Sequence, residues 1–322
     1  MDACAYWATA AGRGEIRPVP LAAPAAGEVL VRTLFSGISR GSETLVANGL
    51  VPPSQHEAMR CPFQAGDFPF PVKYGYSAVG VVEAGVPELV GRTVFCLYPH
   101  QTGFVVPAAA VTPLPQGLAA RRGVLIANLE TALNAVWDAA LLPGERVVVI
   151  GAGVVGCLIA RLAVRLPGAE VCLVDIEPAK AAIAEKLGVP FRTVVEAEPA
   201  ADCVINASGA PAALAAALAA AGLEARVVEV SWYGDRAVPL PLGEAFHSRR
   251  LRLVGSQVGH VAAAMRPRFD HRRRLRKVME ILAADDCLEA LIEGETRFDE
   301  LPAAMPAVTR GNGHCRLVTY DG

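Results

Sequence analysis

Residues 146–156 read RVVVIGAGVVG, and residues 171–175 read VCLVD. In the first stretch a β-branched apolar run leads into the glycine pattern GxGxxG, which opens a segment of helical character ending near Leu166. The second stretch ends in Asp175, nineteen residues after Gly156. A strand, a glycine turn, a helix and a second strand that ends in an acid are typical of a dinucleotide-binding βαβ unit. The sequence therefore predicts a Rossmann domain in this part of the chain.

The glycines and the residues beside them have separate expected roles in holding a pyrophosphate. Gly151 permits the tight turn out of the strand, Gly153 lets the backbone approach the phosphates, and Gly156 lets the helix pack against the sheet. Val154 and Val155 open the helix, whose unpaired amides would face the phosphates. All five are predicted to contact the dinucleotide.

The acid that ends the second strand indicates which dinucleotide binds. A carboxylate there accepts hydrogen bonds from both ribose hydroxyls of the adenosine and repels a 2′-phosphate. The residues after Asp175 are Ile176 and Glu177 rather than Arg, so the sequence predicts NAD(H) rather than NADP(H), with Ile176 as a neighbouring contact. A Rossmann-like domain that binds no dinucleotide is the alternative.

Length and charge limit the classes of function. At 322 residues the chain exceeds the size at which one hydrophobic core stops growing, so two domains are expected. The net charge of −2 gives no general electrostatic reason to bind nucleic acid or an anionic membrane. A signal-peptide pattern and apolar runs of about 18 residues are both missing, so we expect a cytoplasmic protein with a small-molecule substrate. The eight cysteines form no CxxC pair, which argues against disulfides and cysteine-rich zinc clusters.

The composition of the sequence and its pattern of strand-like and helix-like segments change near residue 125. Residues 1–125 are rich in Gly, Pro and short β-branched runs, which predicts a compact β-rich domain. Over residues 126–261, strand-like and helix-like segments alternate, which predicts a parallel sheet covered by helices. These segments are 146–150, 154–166, 170–175, 178–187, 202–206, 211–221, 225–230 and 251–255. Residues 262–322 again show a mixed pattern, with a helix and short strands, and we expect this segment to return to the first domain.

A basic segment, RPRFDHRRRLRK over residues 266–277, lies within a helix predicted over 266–284. Clusters of this kind occur on nucleic-acid-binding surfaces. Because the chain as a whole is slightly acidic and no aromatic stacking platform accompanies the segment, a solvated or subunit-facing helix surface is the preferred interpretation.

Two motifs of the first domain resemble those of the medium-chain dehydrogenase/reductase family. Residues 35–43, FSGISRGSE, stand where zinc alcohol dehydrogenases have a motif of the type GICRSD, and residues 74–80, YGYSAVG, stand where they have GHEAAG. The resemblance covers nearly the whole chain. It implies an α/β fold, in which a GroES-like β-rich catalytic domain is joined to a Rossmann domain with a doubly wound parallel sheet. It also implies a homodimer paired through an edge strand, here near residues 251–258.

The residues at the family's metal-binding positions depart from its pattern. Zinc enzymes of the family bind the metal with Cys, His and a second Cys or an acid, since Zn²⁺ prefers such ligands. The matching residues here are Ser39, Tyr76 and about Ala127, and the structural four-cysteine lobe is missing after Cys96. We therefore expect no metal site. The chain resembles a zinc-lacking branch that includes 2-desacetyl-2-hydroxyethyl bacteriochlorophyllide a dehydrogenase.

Without zinc, hydrogen bonds and a positioned acid or base must stabilise the reacting oxygen. By the resemblance, Tyr76 and Ser39 lie where the metal ligands would converge, so their hydroxyls are the first candidates. A Tyr pKa of about 10 makes a poor base, and Lys73 is a candidate cation to lower it. Glu43 and Glu130 are the carboxylates nearest these motifs and are candidate bases, with a structural ion pair as the alternative for each. For His56 and His100, in loop-like contexts, a structural role is the more common one.

The resemblance also implies cofactor contacts outside the glycine turn. Arg40 and Arg316 match family arginines that reach the pyrophosphate, a contact that suits the guanidinium fork. The remaining contacts implied are Thr131, Ala207, Ser208, Val230, Ser231, Ser256 and Gln257.

Together these features favour a zinc-independent, NAD(H)-dependent oxidoreductase that interconverts a secondary alcohol and a ketone. Trp232 and Tyr233 could wall the substrate pocket, which favours a sizeable polyol, cyclic or aromatic substrate. Two alternatives stay open. One is a zinc-free quinone or enoyl reductase, and the other is a non-catalytic dinucleotide-binding protein.

Overall fold

The computed structural model describes residues 2–198 and 200–320. Its strands are β1 Asp2–Ala10, β2 Arg13–Pro20, β3 Glu28–Ile38, β4 Ala65–Gly66, β5 Val72–Lys73, β6 Ala78–Gly85, β7 Thr93–Cys96, β8 Gly103–Pro107, β9 Val111–Pro113, β10 Arg146–Ile150, β11 Glu170–Val174, β12 Phe191–Arg192, β13 Ala201–Asn206, β14 Ala221–Glu229, β15 Arg252–Gly255, β16 Ile292–Arg297 and β17 Cys315–Thr319. Its α-helices are α1 Arg40–Ala47, α2 Ile126–Asp138, α3 Val154–Ala163, α4 Ala181–Lys186, α5 Pro211–Ala220, α6 His271–Ala283 and α7 Leu301–Arg310. No helix in this part of the chain is long and apolar enough to cross a membrane.

The chain forms two compact units. Met1–Ala127 and Met279–Gly322 make up the first, which we call the β-rich unit, and Asn128–Val278 make up the second, which we call the Rossmann unit. Each has buried apolar clusters of its own, as a chain of this length requires.

The β-rich unit contains two sheets among the described residues. One has the strand order β2-β1-β5-β4, and the other has the order β16-β17-β3-β6-β7-β9, with β8 also paired to β3. Val29, Val31, Val94 and Phe104 form part of the apolar core, each at most 1% exposed. Near the C-terminus, β17 pairs antiparallel with the end of β3, so that Arg316 lies opposite Ile38. The late part of the chain therefore completes a sheet begun near residue 30.

The Rossmann unit is built on a parallel sheet with the order β12-β11-β10-β13-β14-β15. Numbered within the unit, this order is 3-2-1-4-5-6, which reverses between β10 and β13. The strands are rich in Val and Ile because sheets of this type are covered on both faces, and Val147, Val149 and Ile205 are fully buried. Ligands of such sheets bind outside the carboxyl ends of the strands at the reversal point.

Most of the elements predicted for this unit are confirmed. β10 has the predicted bounds, and α3 and α5 begin at the predicted residues. The helix predicted from residue 266 is wrong at its start, since α6 begins at His271. Pro267 has no N–H to donate, and the Asp270 side chain accepts a hydrogen bond from the Arg273 N–H at 2.7 Å, which fixes the helix start there.

Candidate functional site

The glycine turn after β10 lies against the loop that follows β13. Gly151 has a φ of +101°, and a Cβ on it would stand 2.6 Å from the Cα of Ser208. A Cβ on Gly156 would collide with the carbonyl oxygen of Gly151. Gly153, the N-cap of α3, instead faces open space. The turn is therefore closed on its protein side and open at Gly153, the arrangement expected where a ligand approaches the backbone.

Two backbone amides hold the Asp175 carboxylate at this turn. Its Oδ2 accepts from the Ala152 N–H at 2.7 Å, and its Oδ1 accepts from the Glu177 N–H at 3.0 Å. Asp175 is half-buried, whereas the side chain of Ile176 is 91% exposed. Amide donors stabilise a charged carboxylate, so a fixed negative charge stands beside the glycine turn.

Backbone hydrogen bonds join the ends of β13, β14 and β15. The carbonyl oxygen of Asn206 accepts from the Val230 N–H at 2.9 Å, and that of Glu229 accepts from the Ser256 N–H at 2.9 Å. The predicted contacts brought to this edge of the sheet are Ala207, Ser208, Val230, Ser231, Ser256 and Gln257. These six predicted residues of the Rossmann unit thus lie at the carboxyl ends of its strands.

Glu229, which was not among the predicted contacts, links the ends of β13 and β14 by side-chain hydrogen bonds. Its Oε1 accepts from the Ser231 N–H at 2.7 Å, and its Oε2 accepts from the Asn206 amide at 2.7 Å and from the Tyr233 hydroxyl at 2.9 Å. Burial, together with the charge of Glu229, raises the pKa of Tyr233, so this hydroxyl stays a donor. A glutamate that ends the apolar run of β14 is the sequence signal that could have revealed it.

Glu130 and Thr131 lie in α2. The Oε1 of Glu130 accepts from the Nε of Arg274 at 3.0 Å, and both side chains are buried. Burial raises the pKa of Glu130, and the charge of Arg274 opposes that rise. Of the two roles considered for Glu130, the structure shows the ion pair.

Three hydroxyls meet in the β-rich unit, two of them at the positions where the resemblance places metal ligands. Tyr76 donates to the Oγ of Ser39 at 2.6 Å, and the Oγ of Ser42 lies 3.0 Å from the Tyr76 hydroxyl oxygen. Burial raises the pKa of Tyr76 to about 12, the nearby Glu43 adds to the rise, and the two serine hydrogen bonds oppose it. Tyr76 is therefore a protonated donor at neutral pH. Ser42, absent from the predicted set, could have been found from the motif at 35–43.

A chain of buried hydrogen bonds runs beside this hydroxyl group. Glu43 accepts from the Ser39 N–H at 2.8 Å through Oε1, and its Oε2 lies 2.9 Å from the Nε2 of His100. The Nδ1 of His100 hydrogen-bonds with the Oγ of Ser36 at 2.7 Å, and that oxygen bonds with the Tyr320 hydroxyl at 2.8 Å. Glu43 is 4% exposed and His100 is 1% exposed, so water screens this pair very little.

Lys73 and His56 lie elsewhere in the β-rich unit. The Lys73 ammonium donates to the side-chain oxygen of Gln101 at 2.8 Å and to the Tyr98 hydroxyl at 3.4 Å, rather than to Tyr76. Burial lowers the pKa of Lys73. The Nε2 of His56 lies 3.1 Å from the carbonyl oxygen of Val51, a local contact.

Arg40 and Arg316 lie on neighbouring segments of the β-rich unit, because Arg316 pairs with Ile38 across β17 and β3. A guanidinium nitrogen of Arg40 donates to the Gly313 carbonyl oxygen. Burial lowers the pKa of Arg40, with the charge of Glu293 opposing. The Nε of Arg316 donates to the hydroxyl of Thr296 at 2.8 Å. The two arginines that the resemblance assigned to the pyrophosphate therefore lie on neighbouring backbone segments, with different side-chain partners.

The donor set at the family's metal positions does not suit zinc. Ser39 and Tyr76 offer hydroxyls that hydrogen-bond with each other, and Ala127 offers no side-chain ligand. Across residues 2–198 and 200–320, no group of three or more His, Cys, Asp and Glu side chains is arranged to hold a metal ion. Zn²⁺ prefers thiolate, imidazole and carboxylate ligands, so these three residues do not form a zinc site.

No protein-family model matches the chain. Among curated proteins, it is 29% identical over 173 residues to 2-dehydro-3-deoxy-L-galactonate 5-dehydrogenase of Pseudoalteromonas atlantica, which covers 50% of each chain. The match therefore spans about half the length of that relative. A longer match, 26% identical over 324 residues, links it to D-guloside 3-dehydrogenase of Escherichia coli and covers 92% of this chain and 89% of that protein.

Among solved structures, L-idonate 5-dehydrogenase of Escherichia coli superposes with a TM-score of 0.81 at 16% sequence identity. The superposition covers 99% of this chain and 98% of that one. The chain therefore has the α/β fold of the medium-chain dehydrogenases, with a GroES-like β-rich part and a Rossmann part, as the sequence predicted.

Proposed function

We propose that this protein is an NAD(H)-dependent oxidoreductase that interconverts a secondary alcohol and a ketone on a sizeable substrate, without catalytic zinc. The observation that carries the proposal is the hydroxyl pair of Tyr76 and Ser39, 2.6 Å apart, at the positions where the family resemblance places metal ligands. Among the polyol, cyclic and aromatic substrates that the sequence favours, the curated relatives support a polyhydroxylated one, because both are named for sugar-derived substrates.

The proposed cofactor fits the glycine turn of the Rossmann unit. When bound, it would supply or accept the hydride. The turn from Gly151 to Gly156 would hold the pyrophosphate with backbone amides. The pyrophosphate contacts of Arg40 and Arg316 stay predictions from the family resemblance. The fixed charge of Asp175 supports NAD(H) over NADP(H), because it would repel a 2′-phosphate.

Tyr76 is the proposed proton donor to the substrate oxygen. With a pKa raised to about 12 it keeps its proton at neutral pH and can donate to a carbonyl oxygen as negative charge develops there. In the structure Ser39 accepts the single proton of this hydroxyl, so we propose that the Tyr76 O–H turns from Ser39 to the substrate oxygen when substrate binds. The buried carboxylate of Glu43 favours the protonated form of Tyr76, which is the form that can donate to a ketone oxygen. We assign Lys73 and Glu130 no proton transfer, because Gln101 and Arg274 already engage them.

A homodimer is part of the proposal. β15 ends the order of the parallel sheet, and Leu253 within it is 39% exposed. An edge strand with free backbone groups can pair with the same strand of a second copy.

The test is turnover by protein that has been treated with a chelator and checked for metal. NAD⁺ and NADP⁺ are each offered with sugar acids, glycosides, polyols and bulky aryl secondary alcohols, with ethanol as the small control substrate, and absorbance of the reduced cofactor is followed. We expect turnover of a polyhydroxylated class with NAD⁺, unaffected by the chelator.

Each other outcome points to a different error. Activity that is lost on chelation and restored by Zn²⁺ would overturn the zinc-free mechanism. A preference for NADP⁺ would refute the role of Asp175. NADH binding without turnover of any class would leave a dinucleotide-binding protein in place of an enzyme.

A further inference from the structure

Arg274 is the largest completely buried side chain among the described residues, although it lies in the basic segment. Its Nε donates to Glu130 at 3.0 Å and its Nη1 donates to the side-chain oxygen of Asn134 at 2.7 Å. The Nη2 donates to the carbonyl oxygen of Val258 at 2.6 Å, and the carbonyl oxygen of His260 lies 3.5 Å from Nη1. One guanidinium therefore joins α6 to α2 and to the chain after β15.

The chain after β15, residues 256–262, is held by hydrogen bonds along its whole length. They include the Nε2 of His271, 3.1 Å from the Gly259 carbonyl oxygen, and the Nε of Arg266, which donates to the Val261 carbonyl oxygen at 2.8 Å. Near its start, the Ser256 hydroxyl donates to the Asp138 carboxylate at 2.7 Å. In its middle Arg274 binds the backbone carbonyls, and at its end the Ala262 N–H donates to Asn134 at 3.0 Å. Positions 130, 134 and 138 are each about one helical turn apart, so the three α2 side chains that bind this segment or Arg274 lie on one face of the helix.

These polar anchors, rather than apolar packing, fix the middle of the segment. Gln257, Gly259 and His260 are exposed and Val258 is half-buried. Exposed loops with little apolar burial open at low free-energy cost, so their conformation depends on the hydrogen bonds they keep. A guanidinium suits this place, since its planar fork can reach a carboxylate, an amide oxygen and a carbonyl together.

The segment begins at the edge of the sheet where a dinucleotide is proposed to bind. Its first residue, Ser256, donates its N–H to the carbonyl oxygen of Glu229, and Glu229 in turn holds Ser231. Ser256 and Gln257 are predicted cofactor contacts, and both lie within two residues of Val258, which Arg274 holds.

We propose that Arg274 is a positioning residue that holds residues 256–262 in the conformation that presents Ser256 and Gln257 to the dinucleotide. The inference rests on the proposed function, because it requires a nicotinamide dinucleotide at this edge. Arg274 touches neither the substrate nor the cofactor, and acts through the backbone of Val258 and His260.

The test compares Arg274→Lys with Arg226→Lys in the full-length protein. Arg226 also forms an ion pair in the Rossmann unit, with both carboxylate oxygens of Glu145 at 2.6 and 2.7 Å, and this pair lies on β14 and before β10 rather than in residues 256–262. NADH affinity is measured by fluorescence titration, and melting is measured in parallel. We expect Arg274→Lys to weaken NADH binding about tenfold, because two carbonyl anchors are lost, and Arg226→Lys to leave it within about twofold.

A double-mutant cycle separates positioning from general destabilisation. Gln257→Ala should weaken NADH binding in the wild-type background and have no further effect in Arg274→Lys, because the segment is already misplaced there. If Arg274→Lys does not fold, the pair Glu130→Gln with Arg274→Gln replaces it, since it removes both buried charges together. That pair should show the same loss of affinity.

The outcomes distinguish the inference from the proposed function. A wild-type protein that binds no NADH would overturn both. Wild-type binding with unchanged affinity in the folded Arg274 variants, or a Gln257→Ala effect that is the same in both backgrounds, would overturn the inference alone.

Discussion

Among single side chains, the hydroxyl of Tyr76 has the most direct part in the proposed chemistry. Tyr76→Phe keeps the ring but removes the one proton that this side chain donates, to Ser39 in the structure and to the substrate oxygen in the proposed reaction. We expect kcat to fall by about 10²- to 10³-fold, because a positioned donor to a developing oxyanion is lost. NADH affinity should stay within about twofold of wild type, since the hydroxyl is assigned no cofactor contact. Steady-state kinetics and a fluorescence titration check both expectations.

Tyr98→Phe is the matched control for this variant. Burial likewise raises the pKa of Tyr98 to about 12, and its ring stacks on Phe104 with centroids 3.9 Å apart. Its hydroxyl accepts from Lys73 and has no assigned role in the reaction. Its kcat should stay within about threefold of wild type. Equal losses of kcat in the two variants would show that a buried hydroxyl is needed for packing rather than for proton donation.

The sequence identified the hydroxyl pair but not its surroundings. Tyr76 and Ser39 stand in motifs that can be aligned with a family, so their proximity was predictable. The partner of Glu43 is His100, 57 residues away, and the partner of Glu130 is Arg274, 144 residues away. Pairings over such separations depend on the tertiary fold, and a single sequence carries no local signal for them.

Among the elements, the turn between β5 and β6 leaves room for the His100 ring at Gly75, which has no side chain. Its φ is +127°, and an added Cβ would stand 3.1 Å from the His100 Cδ2 and 3.3 Å from the His100 backbone N. We expect Gly75→Ala to lower the free energy of unfolding by about 2–3 kcal/mol, from backbone strain and the displaced ring together. Urea unfolding measures the loss. Activity should fall as well, because His100 would move from Glu43.

Gly91→Ala provides the comparison for this turn. Gly91 also has a positive φ, +78°, but an added Cβ would meet nothing within 4 Å. It should cost only the backbone strain, about 1 kcal/mol, and leave activity unchanged. If the two alanine variants lose the same stability and keep the same activity, the contact between Gly75 and His100 does not constrain the site.

The bounds of elements were predictable where hydrophobic period and turn chemistry agree. β10 and the start of α3 follow from an apolar run and a glycine turn. The start of α6 was not predictable in this way. Charge alone does not show that Asp270 caps the helix, or that the side chain of Arg274 is buried. Which face of a basic helix is buried depends on the carboxylate it meets, and here that carboxylate is on α2.

For the protein as a whole, the alternation of strand-like and helix-like segments was enough to predict the α/β fold. The proposed homodimer is a separate property, and substitutions in one strand, β15, test it. β15 lies at the end of the parallel sheet, and we expect the wild type to sediment at twice the monomer mass. Leu253→Lys should raise the dimer dissociation constant at least about tenfold, because a charge on an edge strand opposes strand pairing. Leu223→Lys, at a residue of β14 that is 76% exposed, should leave it unchanged. A wild-type monomer would refute the homodimer. Equal effects of the two lysines would place the subunit contact elsewhere, since only pairing through β15 makes position 253 more sensitive than position 223.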